Sequence, residues 1–255
     1  MIAVALVGGS GRMGQTLATE LAALPDITVA ALVDLHEPAH SAVAWAPTLS
    51  EIHADSVDAV VDFSTPEGAV ASAHWCAEHA KVLVVGTTGL SAEQRDELRR
   101  AGDRTGVVLC ANFSIGAVLA ERFAAQAAPY FDTVEVIELH HDRKVDAPSG
   151  TSLQAARRIA VAREAAGLAP IGNPTERETL AHTRGGEGPA GVRIHSVRLP
   201  GLTAHQEILF GGPGEGLTIR HDSFDRVSFV HGVALALRHV QVDSGFVEGI
   251  DSFLA

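Results

Sequence analysis

The sequence predicts an α/β protein: a doubly wound parallel sheet joined to a second segment of α+β character with a mixed sheet. Two observations carry this. Up to about residue 110, short apolar runs alternate with segments of helical spacing. Beyond residue 191, three strand-like runs follow one another with no helix between them, which calls for a sheet of their own.

Residues 2–7 form a continuous apolar run rich in β-branched side chains, as in a strand buried on both faces. Gly8-Gly9-Ser10-Gly11-Arg12-Met13-Gly14 follows at once, and residues 15–24 then take helical spacing. Gly9, Gly11 and Gly14 match G-x-G-x-x-G, and Gly8, Gly11 and Gly14 give an overlapping register. Such glycines permit a tight turn and let backbone N–H groups approach a pyrophosphate at a helix N-terminus. The motif alone is weak evidence. Here a strand precedes it, a helix follows it, and the next strand, 28–33, ends at Asp34. An acidic residue about twenty positions beyond the glycines is where dinucleotide sites hold ribose hydroxyls.

The alternation continues with a strand at 57–63, a helix at 66–79, a strand at 81–85, a helix at 91–103 and a strand at 107–110. Ligands of such sheets sit at the carboxyl ends of the strands. The loops there are Asp62-Phe63-Ser64-Thr65-Pro66, Gly86-Thr87-Thr88-Gly89 and Ala111-Asn112-Phe113-Ser114. Their small, polar and aromatic residues suit the flanks of a nicotinamide ring. Taken singly, each also fits ordinary turn and cap chemistry, with Phe63 and Phe113 in the core.

After Asn112 the texture changes. A helix is expected at 115–128, a strand at 133–140 and an alanine-rich helix at 151–166. Residues 167–191 are polar and rich in Gly and Pro, an exposed excursion. Strands follow at 192–198, 204–210 and 216–221, and an apolar helix at 229–240 returns the chain to the first domain. The expected division is therefore 1–111 with 226–255, and 112–225.

The densest polar run follows the strand at 133–140: Glu138-Leu139-His140-His141-Asp142-Arg143-Lys144-Val145-Asp146-Ala147-Pro148-Ser149-Gly150-Thr151. Ser149 can cap the next helix, placing the Gly150 and Thr151 amides at its positive end, a ready anion site. Protonatable groups stand beside it. The blander alternatives are a surface or capping role for each histidine, a solvated charge for Lys144, and turn or cap duty for Asp146 and Ser149. Metal binding by the histidine pair is not expected, since no Cys or acidic residue completes a zinc-like spacing.

Composition narrows the function classes. Hydrophobic content of 46% with 20% charged residues is globular material. A net charge of −12 argues against nucleic acid or anionic membrane as partner, so an anionic ligand needs a local positive cluster. Cys76 and Cys110 lie in or beside apolar runs and suggest no disulfide framework. The start of the chain lacks a basic n-region, and no segment reaches the ~20 apolar residues that span a bilayer. A soluble, cytoplasmic protein is expected.

With the glycine loop and the run from His140 to Thr151 together, the chain resembles the 4-hydroxy-tetrahydrodipicolinate reductases, also called dihydrodipicolinate reductases, of bacterial lysine and diaminopimelate biosynthesis. The resemblance covers essentially the whole chain, and the segment from His195 to Gly211 is similar to the actinobacterial branch. It implies a Rossmann-like domain for NADH or NADPH, and a mixed-sheet domain for a cyclic dicarboxylate substrate and for homotetramer formation. By matching motif, it implies that His140 gives or takes a proton and that Lys144 is the proton donor. His141 binds substrate, and Gly150 and Thr151, with Ser149 before them, hold a substrate carboxylate. Gly8, Gly9, Ser10, Gly11, Arg12, Met13, Asp34, Gly86, Thr87, Thr88, Cys110, Ala111, Asn112 and Phe113 bind the dinucleotide, with Phe63 in the adjoining loop.

Two other classes compete. The nearer is another two-domain NAD(P)-dependent dehydrogenase, for example a semialdehyde or amino-acid dehydrogenase. A semialdehyde dehydrogenase of the acylating kind needs a nucleophilic Cys at a helix N-terminus, and neither Cys76 nor Cys110 suits. A noncatalytic dinucleotide sensor needs no proton donor. Asp34 favours the free 2′-hydroxyl of NADH, and Leu35 stands where some members of the family carry an Arg suited to a 2′-phosphate. His36 can partly substitute, so use of both cofactors stays open.

Overall fold

The computed structural model describes residues 1–38 and 43–254. It divides into two compact units, Met1–Ile115 with Arg226–Ala255, and Gly116–Asp225.

The first unit opens with β1 (Ile2–Val7), α1 (Arg12–Ala22) and β2 (Ile27–Val33). It continues with β3 (Ala44–Ala46), β4 (Ala59–Asp62), α2 (Pro66–His79), β5 (Val82–Val85), α3 (Ala92–Gly102) and β6 (Val107–Leu109). Every residue of β4, β5 and β6 is buried. That is the signature of parallel strands covered on both faces, and it is why their sequence shows no alternation. The helices begin where local chemistry directs. Thr65 caps α2 ahead of Pro66, and Ser91 with Gln94 forms a capping box on α3. Helix α1 starts at Arg12 rather than at residue 15, because Gly11 is its extended N-cap and the end of the glycine motif lies in its first turn.

The second unit begins within α4 (Ile115–Ala127) and contains β7 (Thr133–His140), α5 (Gly150–Ala165), β8 (Gly186–Glu187), β9 (Arg193–Arg198), β10 (Ala204–Gly212) and β11 (Glu215–Ser223). Its sheet runs β11-β10-β7-β9-β8, with β7 and β9 parallel and the other neighbours antiparallel. Strand β7 alternates, burying Val134, Val136 and Glu138. Val134 and Val136 pack in a core with Ala155, Ala156 and Ile159 of α5, and Ile194, Ile208 and Phe210 of the sheet. Glu138 continues the same row, so an acid points where a core residue would.

Residues 167–191 are not wholly an excursion. Their end supplies β8, the Ile171 N–H donates to the Ala190 carbonyl at 2.8 Å, and Ile171 packs against the core. The chain then returns to the first unit through α6 (Val230–His239) and β12 (Phe246–Glu248). The first sheet is complete in the order β12-β6-β5-β4-β1-β2-β3, all parallel. Among the described residues, no helix is long and apolar enough to cross a membrane.

Candidate active site

In the first unit the strand order reverses between β1 and β4, the switch point at which open α/β sheets take their ligands. Four of the loops expected there meet. Gly8 has φ +81°, and a Cβ on it would stand 2.6 Å from the Phe63 carbonyl oxygen. A Cβ on Gly86 would stand 2.1 Å from the Phe63 ring. That ring lies 5.8 Å from the ring of Phe113, centroid to centroid. Gly14 is pressed against the same turn: its Cβ would be 2.2 Å from the Gly8 carbonyl oxygen. The loop thus keeps a backbone surface open at the start of α1, a cradle that side chains at these glycines would fill. Gly14→Ala is expected to lower stability by about 1–3 kcal/mol through overpacking, read in urea unfolding, and to weaken NADH in a calorimetric titration.

Asp34 ends β2 and holds the loop. Its carboxylate accepts the Ser10 N–H at 2.9 Å, while Ser10 Oγ donates to the His36 carbonyl at 2.6 Å. Leu35 is 80% exposed, so nothing polar from that position faces a 2′-substituent. The glycine cradle and the acid at the end of β2 together fit a dinucleotide. Beside them Asp62 is fully buried, accepting from Ser64 N–H, Ser64 Oγ, Thr87 Oγ1 and Ser72 Oγ at 2.6–3.0 Å. Asp62 thereby fixes Thr87 and the loop after β5. Asn112 accepts the Ser114 N–H at 2.9 Å, and the Cys110 thiol donates to the Asn112 carbonyl. Phe113 is 1% exposed, so its ring belongs to the core. Ala111, Arg12 and Thr88 are exposed, Gly9 and Gly11 complete the turn, and Met13 lies in the first turn of α1.

In the second unit, β7 ends at His140 and delivers the polar run into a turn, where the Lys144 N–H donates to the His141 carbonyl at 3.2 Å. The His140 ring donates through Nδ1 to Glu138, two residues back on the same strand face. Glu138 also accepts from Arg198 Nη1 at 2.9 Å, from Arg198 Nη2 at 2.7 Å and from the Ser149 N–H at 3.3 Å. Burial pushes the Glu138 carboxyl up, but hydrogen bonds from His140, Arg198 and Ser196 outweigh it and hold the pKa at about 2. A depressed acid contributes stability present above its unfolded value of roughly 4.3 and lost as pH falls toward 2.

Lys144 Nζ sits on both oxygens of Asp146, at 2.7 and 2.9 Å, and this hydrogen bond holds the Asp146 carboxyl below the usual carboxylate range. His141 Nδ1 is buried and makes no hydrogen bond. Ser149 is 3% exposed, its hydroxyl accepting the Ser152 N–H at 3.2 Å as helix cap. Gly150 and Thr151 are the first two residues of α5, so their amides lie at its positive end. The second unit thus gathers His140, His141, Lys144 and this helix start within one local segment. It offers two proton carriers, a cation and directed amide donors for an anionic ligand.

A family model described as dihydrodipicolinate reductase, N-terminus, matches residues 2–113, and one described as dihydrodipicolinate reductase, C-terminus, matches residues 116–254. The chain belongs to the dihydrodipicolinate reductase family. It is 43% identical to 4-hydroxy-tetrahydrodipicolinate reductase of Enterococcus faecalis, over all of both chains. It is 44% identical to the enzyme of that name from Nocardia farcinica, over 99% of this chain and 98% of the relative. These near-equal identities do not set an actinobacterial branch apart. The dipicolinate-bound dihydrodipicolinate reductase of Paenisporosarcina sp. TG-14 superposes with a TM-score of 0.88 at 37% identity, covering 99% of each chain.

Sequence reasoning passed over Arg198 and gave Glu138 no role. For Glu138 the signal was present, since alternation along a strand puts it on the face of His140. Arg198 is sixty residues away from Glu138, and only the pairing of β7 with β9 brings them together. In the sequence Asp62 stands as one loop residue among others.

Proposed function

We propose that the chain reduces 4-hydroxy-tetrahydrodipicolinate to tetrahydrodipicolinate in lysine and diaminopimelate biosynthesis. The observation that carries the reading is the local gathering of His140, His141, Lys144 and the start of α5 in a chain matched along its length by this family. NADH or NADPH, when bound, supplies the hydride. The balance is one hydride and one proton in, the ring hydroxyl out as water, and one C–H bond formed. Lys144 is the proton donor, and His140 gives or takes a proton in turn, with no net change in the balance. The Gly150 and Thr151 amides, with Ser149 capping beneath them, hold one carboxylate, and His141 adds a donor.

Residues 8–13, Asp34, Phe63, 86–88 and 110–113 form the dinucleotide site. Ser149, Phe113 and Cys110 have buried side chains, so their part in binding runs through the backbone. The unit from Gly116 to Asp225 binds substrate and forms a homotetramer, and the enzyme works in the cytoplasm. The test is steady-state kinetics with 4-hydroxy-tetrahydrodipicolinate and each nicotinamide cofactor. A protein that binds NADH and leaves it unoxidised is a sensor, and the reading falls.

The exposed Leu35 and the acid before it favour NADH, with kcat/KM at least equal to that for NADPH. Asp34→Ala should weaken NADH roughly tenfold or more, the scale of a lost hydrogen bond to a charged group. NADPH should suffer less, because the same change removes a charge that repels phosphate. A strong NADPH preference in the unmutated protein refutes this.

A further inference from the structure

Glu138 has no exposed surface, yet donors from His140, Arg198, Ser149 and Ser196 converge on it. His140 Nδ1 and Arg198 Nη1 meet Oε2, while Arg198 Nη2 and the Ser149 N–H meet Oε1. As a carboxylate, Glu138 only accepts. The hydrogen between it and His140 therefore belongs to Nδ1, whether the ring is neutral or protonated. Arg198 Nη2 also donates to the Asp146 carbonyl at 2.7 Å, and Asp146 carries the ammonium of Lys144.

We propose that Glu138 and Arg198 are a positioning pair for proton transfer: they keep the His140 hydrogen on Nδ1, so that Nε2 is the atom exchanging a proton with substrate, and they tie that ring to the loop bearing Lys144. The proposal rests on the reading of His140 as a proton-transfer residue. Glu138 reaches His140 from its own strand and Arg198 from β9. Strand β10 opposes His140 with neutral Ala204, and α5 contributes the neutral Ser149. The loop after β7 brings the Lys144–Asp146 pair, held through Arg198.

Glu138→Gln tests the pair asymmetrically. Two groups that can only donate, the Ser149 N–H and Arg198 Nη2, meet Oε1 and one, Arg198 Nη1, meets Oε2, so the amide oxygen takes the Oε1 place and Arg198 Nη1 loses its acceptor. The amide nitrogen then faces His140 and donates to Nδ1, which drives the neutral ring's hydrogen to Nε2. Nitrogen NMR of ¹⁵N-histidine protein, with His140 assigned by His140→Asn, should show Nδ1–H in the unmutated chain and Nε2–H in Glu138→Gln. The variant's kcat/KM should fall about 10²-fold, in the range of losing one proton-transfer group. NADH Kd should be unchanged.

The tautomer of the unmutated protein needs neither turnover nor a folded variant. Absence of turnover in the unmutated protein would sink the functional reading alone. A neutral His140 carrying its hydrogen on Nε2 in the unmutated chain overturns the positioning role. So does a folded Glu138→Gln that keeps both the Nδ1–H tautomer and normal kcat/KM.

Discussion

Lys144→Ala is expected to lower kcat by about 10²–10⁴-fold, the usual loss when one general acid is removed, while leaving NADH binding nearly intact. The ammonium is held by Asp146 through both carboxylate oxygens, and the Lys144 side chain is only 21% exposed. It is therefore not a freely solvated surface charge. The Asp146 carboxylate keeps it in place. Two things can be lost with it: a proton and a positive charge. Lys144→Arg separates them. A guanidinium keeps the charge but does not give up a proton near neutral pH. The arginine variant should recover much of the substrate KM and little of kcat. Near-normal turnover in Lys144→Ala, measured by NADH consumption, would return Lys144 to the status of an ordinary ion-pair residue.

The contrast between the two units explains what the sequence could show. The parallel sheet was legible because β4 and β5 are continuous apolar runs between helices whose caps, Thr65 and Ser91, are local signals. Its edges were not. Strands β3 and β12 have three residues each, too few for any periodicity, and only their place beside β2 and β6 defines them. The same divide runs through the site. His140, Lys144, Ser149 and Gly150 stand in one continuous segment, so spacing alone could group them. Arg198 joins that segment only across β7 and β9, and Asp62 finds Thr87 only across β4 and β5. His140 and Lys144 meet their acids two residues away, but Arg198 on Glu138 and Asp62 on Thr87 are long-range pairings, which no local window contains. The glycines illustrate a subtler point. Gly14 is demanded by the protein itself, its Cβ blocked by the Gly8 carbonyl, whereas a Cβ built on Gly150 meets no described atom within 4 Å beyond its chain neighbours and its own helix backbone.

That open space makes Gly150→Asp the sharpest test of the carboxylate site. Any requirement for glycine there comes from a ligand, because the protein leaves room for a side chain and Gly150 has no left-handed backbone. Folding should tolerate the change: Gly150 begins α5, where an acidic side chain favours the helix dipole by typically 0.3–1 kcal/mol. The new carboxylate would occupy the place of the substrate's own, with like charge, beside the Thr151 amide. Substrate KM should rise and kcat/KM should collapse, with NADH Kd changed less than the tenfold that 1.4 kcal/mol represents. Ser149→Ala is the control: it removes a cap worth ~1 kcal/mol without placing charge in the site, so activity should survive. Pyridine-2,6-dicarboxylate, the ligand named in the Paenisporosarcina structure, should compete with substrate in the unmutated enzyme and lose affinity in Gly150→Asp. A folded Gly150→Asp that still binds this dicarboxylate as before would place the carboxylate elsewhere. The start of α5 would then be a helix end and nothing more.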